Sequence, residues 1–285
     1  MSVHMIAAVS DVHSGSTVAV CPPEPLELDD GGFYEPSPIQ KWLWSLWETA
    51  WHERYSALLD EWKPDTQTLV INGDCMDGNH HGTPQIVSNL SSVHFRIAHE
   101  LLERGPLKYR FSGIHMIRGT ETHVGKSGQQ EEGLARALRK QGDHKIIDDP
   151  DTGMASSFWR RFEKDGLLVD CRHHGRMGQR THTRDAYMRL YAHEIWSAHV
   201  RSGSRPPDLC IRSHFHRYAD SGRIHDMPTR VTALPAWQML TAFGHRISIE
   251  DLGHIGLCVF VIRDGKLMEP EPIIFQPDRP TIVGG

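Results

Sequence analysis

Five short apolar runs in this chain, each of the kind that makes a buried strand, stop abruptly at Asp, His or Glu. The most constraining is Thr68-Leu-Val-Ile-Asn-Gly-Asp-Cys-Met-Asp-Gly78, where Leu69-Val70-Ile71 runs into Asn72-Gly73-Asp74 and then Asp77-Gly78. A strand that ends in Gly followed by two carboxylates puts charge at the carboxyl edge of a sheet, where open α/β folds keep their ligands. Alone, two Asp three residues apart fit a solvated turn equally well. Repetition decides against the turn. Asp11-Val-His13, Gly119-Thr-Glu-Thr-His123, His173-His174-Gly175 and His214-Phe-His216 each close a similar run. Strand ends that deliver Asp, His and Glu together describe a metal centre.

Composition sets the outer bounds. With 285 residues, 39% apolar and 24% charged, the chain can bury a sizeable core and reads as a soluble globular protein. A net charge of −5 argues against a chain-wide basic surface for gripping nucleic acid, though not against a local basic strip. The 20 histidines are the outlier. One site uses about six at most, so the majority are ordinary surface or core residues. Cys21, Cys75, Cys171, Cys210 and Cys258 are scattered, odd in number and without a C-x-x-C pair, which favours free thiols in a reducing compartment. No run approaches a membrane span, and Met5 to Val9 is too short for a signal-peptide core. A cytoplasmic protein is expected, with no membrane partner.

Taken in order, the first strand covers residues 4–10 and delivers Asp11 and His13. Residues 14–38, rich in Gly, Pro and acids, form a long connection expected to lie over the site mouth. Ser37-Pro38 starts a helix to about Trp62, whose stripe of Trp42, Leu43, Leu46, Trp47, Ala50, Trp51, Tyr55 and Leu58 should pack on a sheet. Further helices are expected over about 84–104, 129–140 and 181–200, and strands over 114–118, 157–163, 167–172 and 209–213. The tail, with runs at 231–234, 255–263 and 273–275, reads as antiparallel β structure. Strand and helix in alternation, then added β structure, predict α/β layers with helices outside. No linker divides the chain, so one domain over residues 1–285 is expected.

The ordered set Asp11-Val-His13, Gly73-Asp74-Cys-Met-Asp77, Gly119-Thr120-Glu-Thr-His123, His174-Gly175 and Ser213-His214-Phe-His216 resembles the calcineurin-like metallophosphoesterase superfamily. The resemblance spans residues 11–216 and implies a four-layer α-β-β-α sandwich of two mixed sheets. It also implies two divalent metal ions that activate a bridging water or hydroxide against a phosphoester. Mn²⁺ is the first choice, with Fe, Zn, Ni and Co as the other candidates. Carried over residue by residue, Asp11, His13 and His216 hold one ion, Asp74 bridges, and His174 with His214 holds the second. His174 is preferred to His173 because the family's ligand commonly ends its strand beside a small residue, here Gly175. The family's Asn ligand is replaced by Thr120 and the residue after it by Glu121. Either supplies the oxygen ligand, and His123 becomes the general acid. The Gly-Thr-Glu-x-His-Val-Gly form, with Cys21-Pro-Pro23 and the Trp-rich helix, looks like phosphoesterases of bacteriophage and prophage genomes, which would place the protein in a bacterial host's cytoplasm.

Around His174 stand Arg172, Arg176, Arg180, Arg184 and Arg189, with Asp185 the one acid among them. Guanidinium groups fork phosphate, so Arg176 and Arg180 are candidates for the substrate phosphate. The expected function is metal-dependent hydrolysis of a phosphodiester, as a nuclease or nucleotide phosphodiesterase, with nucleic acid or a nucleotide as partner. The alternatives are a phosphomonoesterase and a non-catalytic metal-binding docking module. Gly78-Asn79 stands where the protein-phosphatase branch has Arg-Gly, which speaks against that branch.

Overall fold

β1 (Val3–Val9) is buried along nearly its whole length, so it must lie inside a sheet that is covered on both faces. The structure, a computed structural model, describes residues 2–80, 82–142, 144–178, 183–247 and 252–277. After β1 come a small hairpin of β2 (Leu26–Glu27) and β3 (Phe33–Tyr34), then α1 (Pro38–Glu48), which passes through a π-helical stretch at Thr49–Tyr55 into α2 (Ser56–Trp62). β4 (Thr66–Asn72), α3 (Ser91–Arg104), β5 (Gly113–Ile117), α4 (Glu121–Val124) and α5 (Gln129–Gly142) follow. The second half holds β6 (Ser156–Ser157), β7 (Trp159–Lys164), β8 (Leu167–Arg172), α6 (Arg184–Arg201), β9 (Leu209–Arg212), β10 (Ala219–Asp220) and β11 (Arg230–Ala233). It closes with α7 (Ala242–Ile247), β12 (Ile255–Arg263), β13 (Lys266–Leu267) and β14 (Glu271–Phe275).

Two mixed sheets result. The first runs β13-β12-β1-β4-β5-β6, with β14 also beside β12, and the second runs β10-β11-β9-β8-β7. Strand alternation then builds the layers. Met5, Ala7 and Val9 join Leu69, Ile71, Val259 and Val261 in a core shared with Trp47, Trp51, Ile97 and Leu134 of the helices. Ile6, Ala8, Val70, Phe260 and Ile262 turn the other way and meet Val169, Cys171, Leu209 and Ile211 of the second sheet. Beyond that sheet, Met188 and Ala192 of α6 cover Cys210, Val231 and Ala233. Helices, sheet, sheet and helix make the four-layer α-β-β-α sandwich that the sequence led us to expect.

Three local readings are corrected. The helix expected from about 84 begins at Ser91, because residues before it are engaged in extended pairing: Val87 N–H donates to Gly15 O and Thr17 N–H to Gln85 O. The helix at Pro38 does start on a capping box, with Ser37 Oγ and Gln40 Oε1 each accepting the other's backbone N–H. Its π-helical middle leaves no mark in a three-and-four spacing of apolar residues. In the tail, β12 is antiparallel to β1 and β14, but β11 runs parallel to β9.

A buried ion pair fixes the second sheet where it approaches the site. Arg212 on β9 donates to Asp170 Oδ1 at 2.7 Å and to the Asp170 carbonyl at 2.9 Å, and Trp159 Nε1–H donates to Asp170 Oδ2 at 2.6 Å. Removing Arg212 leaves buried Asp170 with only the longer contacts to Arg161 at 3.8 Å and Arg172 at 4.0 Å beside the Trp159 bond. Arg212→Ala is therefore expected to destabilise the fold by about 3–5 kcal/mol, read as a lowered urea midpoint with an unchanged slope. An unchanged midpoint would show that Arg161, Arg172 or water offsets the Asp170 charge without Arg212.

Candidate metal centre

All the predicted ligand segments arrive at one edge. Asp11 and His13 follow β1, Asp74 follows β4, Thr120 follows β5, His173 and His174 follow β8, and His214 and His216 follow β9. The backbone there is unusual. Asp11, His13, Asp74, His214 and His216 all have left-handed φ, between 48° and 77°, and only four other non-glycine residues among those described do. Each such residue costs about 1 kcal/mol or more, and such strain concentrates at functional sites. Cross-strand bonds hold the strained turns: Asp11 N–H donates to Gly73 O, His13 N–H to Asp74 O and Ser213 N–H to His173 O. Glycine is required at position 119, where a Cβ would collide with the Asp74 carboxylate.

The side chains then converge. Five trios of His and Asp place ligand atoms within 4.8 Å of one another, among them Asp11–His13–His216, Asp11–Asp74–His173 and His173–His174–His214. His13 Nδ1–H donates to Asp77 Oδ1 at 3.1 Å, which leaves Nε2 as the lone-pair nitrogen, 3.1 Å from His216 Nε2 and 3.8 Å from Asp11 Oδ1. His173 Nδ1–H donates to the Asn72 carbonyl at 2.7 Å, so its Nε2 lone pair stands 2.9 Å from Asp74 Oδ2. Neither His173 Nε2 nor Asp11 Oδ1 has a hydrogen-bond partner, although both are buried. Lone pairs facing carboxylates repel unless positive charge lies between them. In the bare protein only protons can supply that charge. Burial opposes the charged form of His13, but the neighbouring carboxylates of Asp11 and Asp77, with Asp74, win and raise its pKa to about 10. Burial likewise opposes protonation of His173, but Asp74 and Asp11 raise it to about 9. His214 shows the opposite balance, held down to about 4 by burial and the neighbouring His173. Carboxylates with imidazoles, oriented by outer hydrogen bonds and left with unpartnered inward atoms, fit a divalent cation such as Mn²⁺ or Zn²⁺.

Thr120 reaches this cluster and Glu121 does not. Thr120 N–H donates to Asp74 Oδ1 at 2.6 Å, and its hydroxyl lies 3.0 Å from Asp74 Oδ2, 3.3 Å from His174 Nε2 and 3.2 Å from His214 Nδ1. Glu121 is exposed in the first turn of α4 and joins none of the clusters. His123 Nδ1–H donates to the Asp77 carbonyl at 2.6 Å, and its ring packs edge-on against His13 and His80. Burial and the nearby His13 push its pKa down to about 4. His174 lies exposed at the rim, whereas His173 is the imidazole between the two carboxylates. Strand periodicity carries the signal for His173: Val169 and Cys171 face the space between the sheets, and two residues on comes His173.

Arg176 is exposed and pairs with Glu194 on α6 at 2.9 Å, and it is not among the cleft-lining residues. Arg180 lies outside the described residues. Residues 14–38 supply none of the lining either. They border its lining, with Thr17 N–H donating to Gln85 O and Ala19 bridged to Gln238, and farther along Glu24 pairs with Arg104 and Asp29 with Arg96 of α3. The cleft, about 730 Å³, has His13, Asp74, Asp77, His123, His214 and His216 in its wall, and its remaining lining comes mainly from residues 82–85 and 238–246.

No protein-family model matches the chain, and no curated protein sequence does. Its backbone is similar to that of several solved structures. An archaeal phosphodiesterase aligns at 11% identity and a TM-score of 0.42, over 95% of this chain and 99% of that one. Vps29 from Entamoeba histolytica aligns at 9% and 0.39, over 95% and 99%. The NAD nucleotidase NadN of Haemophilus influenzae aligns at 11% and 0.37, over 96% of this chain and 56% of that one. At these identities and scores no residue role passes from those proteins to this chain.

Asp74 stands in more than one of the clusters, so Asp74→Asn should lower the metal content of protein loaded with Mn²⁺, measured by elemental analysis after gel filtration. Full metal retention in that variant would remove Asp74 from the ligand set.

Proposed function

We propose that this chain is a metal-dependent phosphoesterase that cleaves a phosphodiester. One observation carries the reading: at the cleft, buried Asp11 and Asp74 face the imidazoles of His13 and His173, Asp11 Oδ1 and His173 Nε2 have no partner, and Asp11, His13 and Asp74 are held on strained backbone. Asp11, His13 and His216 would hold one cation, and His173 or His174 with His214 and Thr120 a second, with Asp74 between them. Mn²⁺ suits this oxygen and nitrogen set. A cation pair supplies, when bound, charge to offset the phosphoryl oxygens and acidity to deprotonate a water.

The chain's own residues do the rest. Asp77 fixes the His13 tautomer through Nδ1, and Asn72 does the same for His173. His123, with Nδ1–H committed to the Asp77 carbonyl, presents Nε2 to the leaving oxygen; burial and His13 disfavour a proton there in the bare protein, so it would act as an acid only where the substrate's negative charge favours the imidazolium. Arg246 is the one Lys or Arg among the described cleft-lining residues. A dianionic monoester calls for more than one such partner, while a monoanionic diester does not. All five cysteines are buried free thiols, which supports a reducing, cytoplasmic setting. Among the described residues no helix is long and apolar enough to cross a membrane. The loop from Gly119 to Gly125 supports placing the chain with the phage-type members.

Release of nitrophenol from bis(p-nitrophenyl) phosphate in Mn²⁺, well above release from the monoester, is the expected result. The reverse preference would make it a phosphomonoesterase, and no turnover with either ester would leave a metal-binding docking module. His123→Ala should cost about 10²–10⁴-fold on an alkyl diester and clearly less on a nitrophenyl diester, with metal content unchanged. Equal losses accompanied by depleted metal would make His123 a ligand instead.

A further inference from the structure

The cleft is larger than a phosphate needs, and its outer part is built from two segments that the metal centre does not use. Residues 82–85 form one rim and α7 with Thr241 the other. They are tied together, since Gln85 Oε1 accepts the Ala242 N–H at 2.6 Å. That bond leaves the Gln85 amide nitrogen as a donor. Thr241 caps the short helix, its hydroxyl accepting Gly244 N–H and its carbonyl His245 N–H. Phe243 and Arg246, three residues apart on this helical turn, both line the cleft. Phe243 is 67% exposed, an apolar ring left in water beside polar groups. Arg246 is exposed too, and no ion pair holds it among the described residues.

An exposed aromatic face, one guanidinium, and amide and hydroxyl groups that both donate and accept suit a ligand with a flat π-face, a hydrogen-bonding edge and a negative charge. A nucleotide has all three. An acyl chain has no use for the amides and hydroxyls, and a bare phosphate has none for the ring. We propose that the outer cleft is a nucleoside subsite: Phe243 stacks on the base, Gln85 and Thr241 meet its edge, and Arg246 pairs with a phosphate oxygen. The assignment rests on the phosphodiesterase reading above and narrows it to nucleotidyl diesters.

Two diesters with the same leaving group test it: thymidine 5′-(p-nitrophenyl phosphate) and methyl p-nitrophenyl phosphate. The Mn²⁺-loaded protein should show the lower KM on the nucleosidyl ester. Phe243→Ala should raise the ratio of the nucleosidyl KM to the methyl KM about tenfold, and Phe243→Tyr should restore it. Calorimetric titration with thymidine 5′-monophosphate gives a readout apart from turnover, and Phe243→Ala should weaken that binding by a similar factor. Equal KM values for the two esters in the parent protein, or a ratio unmoved by Phe243→Ala, would overturn the subsite. So would failure to bind the monophosphate. If neither diester is cleaved yet the monophosphate binds and Phe243→Ala weakens it, the subsite stands and the hydrolytic reading falls.

Discussion

Two carboxylates, Asp11 and Asp74, lie almost completely buried at the edge of the first sheet, and the rest of the site follows from what that burial demands. Taking an ion out of water costs several kcal/mol even after the surroundings relax, so the interior must return opposing charge or donors. Part of it comes from backbone: Thr120 N–H donates to Asp74 and His214 N–H to Asp11. The remainder faces imidazole nitrogens whose other ring atom is already committed. A cation satisfies both sides of that arrangement, and a proton is the poorer substitute available to the bare chain.

Holding this geometry takes support from outside the cluster. Asn72, at the end of β4, donates to the Arg172 carbonyl at 3.1 Å and to Ser213 Oγ at 2.6 Å, so the carboxyl ends of the two sheets are stitched beneath the His and Asp cluster. Its carbonyl meanwhile sets the His173 ring. On the other side, fully buried Glu131 of α5 accepts the N–H groups of Gly119 at 2.6 Å and Cys75 at 3.3 Å. Burial and the nearby Asp74 push its pKa up to about 8, so near neutrality the carboxyl is largely uncharged and adds little repulsion. The layered sandwich thus works as a frame that forces oxygen and nitrogen lone pairs together. Folding strength from the apolar layers offsets the cost.

The layers and most of the centre were legible in the sequence for a physical reason. A buried strand needs a continuous apolar run, and a residue placed just beyond it has little freedom in where it sits. That reasoning picks out Asp11, His13, Asp74, His214 and His216, and the structure brings them together. His173 and His174 both join His214 in one cluster; adjacent histidines differ only in strand phase, and counting from Val169 and Cys171 puts His173 on the buried side and His174 at the rim. A charge cluster reveals composition and not direction, and Arg176 pairs at the surface with Glu194 on α6. The cleft rim was hidden for another reason. Gln85 and Phe243 lie far apart in sequence, in a short extended segment and a six-residue helix, and neither has a period to detect.

The central claim is that these lone pairs enclose cations, and an anomalous-scattering map of Mn²⁺-soaked crystals tests it most directly. The account predicts two peaks, one bounded by Asp11, His13 and His216 and the other by His214 with His173 or His174, with Asp74 between them. A map without peaks there, with His173 Nε2 donating to Asp74 through a proton, would contradict it.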